Sequence, residues 1–338
     1  MVNSFPLEGV IGVVANNATE IDFALDNKLS CVEIRADLLI NNGTSVDDVV
    51  ELVRETKTKG LSCLFTLRHP DHGGEFFGTE EERVLINQAV LEVGADIIDM
   101  EWGTEALVAM ADKNAPIVIS HHDFKAMPSI EVLEELTSEM ESFYPDAIKV
   151  VPTSSTLAHS VQMLQWVGNR TRDIARIGFA MGQKGTCSRI MTTVYGAPIT
   201  YASFGDAVAP GQLSMDALIN CYRVSELNDG CLVYGVAGKD VNHSRELEVM
   251  NQQLKKKQLN AVCIPLESLE LDELLVVLED LKIKGIQLEN PLKEIAIEKF
   301  YGSGSFPGTS VFMEISSLNG KQEINIHPIS GKKFVEHL

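Results

Sequence analysis

Short, nearly continuous apolar runs recur along the first two thirds of the chain, separated by amphipathic stretches of helical length. The pattern predicts strands near 10–15, 31–35, 61–68, 96–101, 116–122, 146–151, 175–181 and 198–203. Such β-branched runs suit parallel strands buried on both faces. Helical segments are expected between them, for example at 45–59, 79–93, 129–143 and 155–168. In one of these, Ser129 and Glu131 put a cap and an acid in the first turn, where both suit the helix dipole. Eight strand-then-helix units in about 220 residues are the arithmetic of a closed (β/α)8 TIM barrel. The rival is an open doubly wound sheet. That fold more often has a Gly-rich turn after its first strand, whereas here the strand runs into Asn16-Asn17-Ala18.

After about residue 225 the character changes. Ser225-Glu226-Leu227-Asn228-Asp229-Gly230 reads as a linker, followed by a strand from Cys231 to Val236. A helix with a basic run, Lys255-Lys256-Lys257, comes next, and the run reads as a solvated face. Then come a strand at 260–265, a helix at 271–282, a strand at 285–288 and a hairpin-like tail. Two domains are therefore expected, a barrel over 1–224 and a smaller C-terminal α/β domain over 230–338. A prior of roughly 150 residues per domain agrees.

Composition narrows the function classes. With 28 Lys and Arg against 48 Asp and Glu, the net charge is −20. A surface that acidic repels phosphate backbones and anionic lipid, so neither nucleic acid nor a membrane is an expected partner. No apolar run approaches the ~20 residues needed to span a bilayer. The segment Met1-Val2-Asn3-Ser4-Phe5-Pro6 does not read as a signal peptide. Six scattered cysteines without a C-x-x-C pair read as free thiols of a reducing, cytoplasmic compartment. A homodimer is compatible with the sequence but is not read from it.

Barrels of this kind build active sites at the carboxyl ends of their strands. Here those ends carry Glu33 and Arg35, Thr66 and Arg68, Asp99 and Glu101, and His121, His122 and Asp123, while the sixth strand carries Lys149. Side chains alternate along a strand, so Glu33 and Arg35 share one face, as do Ser120 and His122. If that face is the lumen, Arg, Glu, His and Lys converge there. Lys149 sits between Ile148 and Val150, where an ammonium must snorkel, find an ion pair or lose its proton. Neighbouring cations and desolvation would lower its pKa and make the amine a nucleophile towards a carbonyl. A structural, ion-paired lysine is the alternative. His122 reads either as a general base or as a hydrogen-bonded core histidine. The His-His-Asp triplet alone does not make a metal site, so no metal is expected. Further on, Gly182 to Arg189 forms a turn opening a helix, and Ala209-Pro210-Gly211-Gln212 places an amide on a rigid turn.

These residues fit a known pattern. Residues 8–224 resemble the type I 3-dehydroquinate dehydratases. The resemblance rests on Glu33-Ile34-Arg35, Thr66-Leu67-Arg68 with Gly73-Gly74-Glu75, and Ser120-His121-His122-Asp123-Phe124. It continues through Ile148-Lys149-Val150, Gly185-Thr186-Cys187-Ser188-Arg189 and Ala209-Pro210-Gly211-Gln212. It implies a Schiff base between Lys149 and the ketone of 3-dehydroquinate, with His122 as the acid and base and with no metal or organic cofactor. Glu33, Arg35, Arg68, Arg189 and Gln212 are then implied to bind substrate. Two positions depart from the pattern: Asp71-His72 stands where the family has a Glu before the Gly pair, and Val208 where it has a Ser.

Residues 232–293 resemble the start of the shikimate dehydrogenase substrate-binding domain, through Val233-Tyr234-Gly235-Val236, Asn242-His243-Ser244, Leu259-Asn260-Ala261 and Asn290-Pro291-Leu292-Lys293. Lys293 falls at that family's catalytic lysine, but Glu246 replaces the second serine of its substrate motif. Asn325-Ile326-His327 is a poor match to its later Asn-Thr-Asp motif, and Gly302-Ser303-Gly304 with Gly308 leaves about 30 residues, too few for a dinucleotide-binding half. The resemblance thus implies a truncated, degenerate domain without dehydrogenase activity. The competing functions are another Schiff-base barrel, such as a class I aldolase, and a non-catalytic sensor of shikimate-like ligands.

Overall fold

The computed structural model describes residues 5–170, 173–205, 211–302, 306–318 and 321–337. Its first eight strands are β1 (Gly9–Val14), β2 (Cys31–Arg35), β3 (Ser62–Thr66), β4 (Ile97–Glu101), β5 (Ile117–Asp123), β6 (Ala147–Pro152), β7 (Ala175–Gly178) and β8 (Ile199–Ser203). Each lies within a few residues of a predicted run. A short β9 (Leu213–Ser214) pairs with β8, giving the order β7-β6-β5-β4-β3-β2-β1-β8-β9. The ladders are parallel throughout.

The doubly wound alternative fails because the strands run in unbroken sequence order from β7 to β1 and the eighth strand then pairs with the first. That is the order of a barrel rather than of a sheet that winds outward from a central switch point. Among the described residues no ladder joins β7 to β8. Side chains bridge there instead: the rings of Phe179 and Tyr201 meet edge to face, with centroids 5.8 Å apart. Among the described residues no helix is long and apolar enough to cross a membrane.

Alternation along the strands explains both layers of the barrel. Val32, Ile34, Cys63, Phe65, Ile98, Met100, Ile119, Ile148 and Val150 belong to the outer core under the helices. Their odd-even partners Cys31, Leu64, Ile97, Val118, Ala147, Ile177 and Ile199 form a separate inner cluster. Two residues further along, the inner positions of β2 to β6 become Glu33, Thr66, Asp99, Ser120 and Lys149, and those after Ile177 and Ile199 are the aromatic Phe179 and Tyr201, all buried. The lumen is therefore apolar at its base and charged at the carboxyl ends of the strands.

A second sheet follows, with β10 (Leu232–Gly238), β11 (Ala261–Glu267), β12 (Ile283–Leu288), β13 (Val311–Leu318) and β14 (Lys321–His327) in the order β11-β10-β12-β13-β14. The first three strands are parallel, and β13–β14 adds the antiparallel hairpin that the tail suggested. Its two faces have different partners. Tyr234, Val236, Ala261 and Cys263 pack with Leu247 and Met250 of the helix Arg245–Lys256. Val262, Ile264 and Leu266 join one apolar cluster with Leu157, Leu164, Cys187, Ile190 and Met191 of the barrel. The polar run at 225–230 thus connects two units that share a core.

Candidate active site

Lys149, the inner residue of β6, stands directly opposite Ser120 of β5. Its Nζ lies 3.0 Å from Asp99 Oδ2 and 3.8 Å from Glu33 Oε1. The ring of Tyr201 lies beneath it, with the centroid 4.3 Å away. Asp99 also receives Ser120 Oγ at 2.5 Å and faces Arg68 Nη2 at 2.9 Å. Burial opposes its charge, but Arg68, Lys149 and the hydrogen bonds from Ser120 and Lys149 outweigh that and hold its carboxyl at about 2. Thr66 Oγ1 donates to Glu33 at 2.8 Å, fixing the second carboxylate beside the amine. The expectation of an ammonium crowded by cations needs revision, because its immediate charged partners are carboxylates. Sequence reading placed Asp99 at a strand end but gave it no role. Alternation puts it on the face of Lys149, and only the register between strands shows that the two meet.

His122 lies two residues beyond Ser120 on the same face of β5. Arg68 Nη1 sits 3.0 Å from its Nδ1 and 2.8 Å from its Nε2. A guanidinium can only donate, so the ring must present an unprotonated nitrogen. Burial, followed by the charges of Arg68, Lys149 and Arg35, presses the His122 pKa well below the ordinary imidazole value. The side chain is therefore neutral and able to take a proton. Arg68 keeps its own charge: burial works against it, but Asp99, Glu101, Glu33 and Asp37 together raise its pKa.

The remaining predicted residues line the same cavity of about 90 Å³, which Glu33, Arg35, Arg68, His122, Lys149, Arg189 and Gln212 all border. Arg35 is committed to a bidentate pair with Asp37, at 2.9 and 2.7 Å, an acid that sequence reading did not single out. Arg189 stacks on Phe179 with its guanidinium carbon 4.4 Å from the ring centroid, and burial lowers its pKa to about 9. Of the pair at the departing motif, His72 borders the cavity and Asp71 is exposed. Gly74 follows because a Cβ there would collide with the Arg68 carbonyl, so the glycine lets this turn fold onto the end of β3. Val208, Ala209 and Pro210 lie outside the described residues, as do Ser303 and Gly304. Among the described residues no three His, Cys, Asp or Glu side chains are grouped to hold a metal ion.

An eightfold α/β barrel with a lysine and a neutral histidine at the carboxyl ends of neighbouring strands defines the class of molecule. The chain belongs to the type I 3-dehydroquinase family, whose model matches residues 11–229. It is 28% identical over 274 residues to a chloroplastic bifunctional 3-dehydroquinate dehydratase/shikimate dehydrogenase of Arabidopsis thaliana, an alignment covering 79% of this chain and 44% of the relative. A 3-dehydroquinate dehydratase of Methanothermobacter thermautotrophicus is 32% identical over 195 residues, which cover 57% of this chain and 84% of that protein. The fold is that of 3-dehydroquinate dehydratase from Geobacillus kaustophilus, with a TM-score of 0.57 and 22% identity over 63% of this chain and 89% of that one. The dehydroquinate dehydratase and shikimate dehydrogenase of S. pombe AroM aligns over 94% of this chain and 64% of its own, with a TM-score of 0.54 and 21% identity.

Proposed function

We propose that the chain eliminates water from 3-dehydroquinate to give 3-dehydroshikimate through a Schiff base on Lys149. The observation that carries this reading is a lumenal lysine in one cavity with a neutral histidine on the adjacent strand. Lys149 adds to the ketone carbon, and the carbinolamine loses water to form an iminium. The iminium withdraws electrons, so the neighbouring C–H becomes acidic and His122 accepts its proton. The resulting enamine expels the β-hydroxyl, which leaves as water with the proton from His122. Water then hydrolyses the conjugated iminium, releasing the enone and restoring the amine. Asp99 and Glu33 balance each positive charge that forms on the lysine nitrogen. Arg189 receives the substrate carboxylate and Gln212 its hydroxyls, while Arg35 and Arg68 line the rest of the same cavity.

The test follows the rise of the conjugated enone when the full chain meets 3-dehydroquinate. Turnover should persist as pH falls, because a lowered pKa keeps His122 neutral below the ordinary imidazole range. The acidic limb of kcat/KM is expected well below pH 6.5. Arg68→Met should move it upward by removing the charge nearest the ring. An absence of enone, or an acidic limb at or above 6.5 in the unaltered enzyme, contradicts this reading.

Residues 230–338 fit a domain of the shikimate dehydrogenase substrate-binding type, following a barrel over 1–224. Coverage of 94% against S. pombe AroM supports this, as does the helix after β10, capped by Ser244. Glu246, with its Oε2 buried, stands where the resemblance calls for a serine. A carboxylate there repels a substrate carboxylate. The full chain with shikimate and NADP should therefore give no NADPH absorbance, and steady NADPH formation overturns the assignment of a degenerate site.

A further inference from the structure

We infer that the C-terminal unit braces the turn that carries Arg189 into the barrel cavity, so that residues far from the reacting atoms set the enzyme's affinity for its substrate. The key group is Glu273, on the helix Leu271–Val277 of the C-terminal unit. Its carboxylate receives Lys184 Nζ at 2.8 and 2.7 Å, the backbone N–H of Leu157 at 2.9 Å and Ser268 Oγ at 2.6 Å. One side chain thereby joins its own domain to two barrel segments. Asn242, also from the C-terminal unit, holds the preceding residue of the turn, donating to Gln183 O at 3.2 Å and to Gln183 Oε1 at 2.5 Å.

The held segment leads directly to the site. Gln183–Gly185 runs into the helix Thr186–Met191, every residue of which is buried. That helix is seated from outside by Val262 and Ile264 of β11, which share a cluster with its Cys187, Ile190 and Met191. Its start lies close against Ala180: a Cβ on the preceding Gly185 would strike the Ala180 carbonyl, and Ser188 Oγ accepts from the Ala180 N–H at 2.9 Å. A segment gripped at its start and along its outer face has little freedom, so the guanidinium of Arg189 is presented over Phe179 in one place. A carboxylate contact made equally in the ground and transition states acts on binding more than on the chemical step.

The inference rests on the proposed role of Arg189, and a double-mutant cycle on the full chain separates the two. Arg189→Ala should raise KM for 3-dehydroquinate by about 100-fold, as expected for loss of a charged contact. Glu273→Ala should raise KM about 5- to 20-fold with kcat changed less than threefold, and Glu273→Gln should recover part of the loss. In the Arg189→Ala background, Glu273→Ala should add less than twofold, because the contact it positions is already absent. If Glu273→Ala leaves KM unchanged, or lowers only the fraction of active enzyme, while Arg189→Ala raises KM, the brace is refuted and Arg189 stands. If Arg189→Ala leaves KM unchanged, the role of Arg189 is refuted first.

Discussion

Lys149→Ala should lower kcat by at least about 10,000-fold, because it removes the covalent route and not merely a contact. Without the imine there is no electron sink to acidify the neighbouring C–H, and the remaining groups can only bind substrate. The loss should not come from unfolding. Cutting one partner from a buried ion pair commonly costs about 3–5 kcal/mol when the other is stranded. Asp99 is not stranded here, since Arg68 and Ser120 still hold it. Lys149→Met keeps the apolar stem over the Tyr201 ring and should be equally inactive. Circular dichroism and thermal denaturation of both variants should match the parent within a few degrees. Residual kcat within 100-fold of the parent would return Lys149 to a structural, ion-paired role.

His122→Gln is expected to cost between about 100- and 10,000-fold in kcat, the usual worth of a positioned general base and acid. The glutamine amide can still accept from Arg68, so the wall of the cavity should stay in place. This variant should separate the steps of the reaction. Lys149 remains able to form the imine, so substrate should still be captured covalently while enone formation stalls. Mass spectrometry of the quenched mixture checks this. Parallel loss of capture and turnover would mean that His122 serves only the amine, not the C–H and hydroxyl.

Much of the barrel was legible because its strands obey period-two alternation with both faces buried. Ile148-Lys149-Val150 is a clear case: two outer apolar residues flank one inner charge, so the face follows without any partner being known. Alternation says which residues share a lumen, but not which charges neutralise each other. The Lys149–Asp99 pair depends on β4, β5 and β6 lying side by side in one register, a relation between segments 50 residues apart in the chain. Arg35, read as a substrate ligand, borders the cavity and also clasps Asp37, a local pair that strand alternation alone does not reveal. The joint between the two units was also hidden. Val262, Ile264 and Leu266 look like any buried strand, and nothing in their spacing indicates that a barrel helix covers them. The polar Ser225–Gly230 segment reads as a tether because local composition reports exposure of that segment alone.

The central claim is the covalent bond to Lys149, and borohydride trapping tests it most directly. The full chain is incubated with 3-dehydroquinate and sodium borohydride, then examined by intact mass and peptide mapping. One irreversible adduct is predicted, dependent on both reagents, located on Lys149 and matched by loss of activity. An enzyme that turns over normally yet gives no adduct, or an adduct on another lysine, would contradict the account.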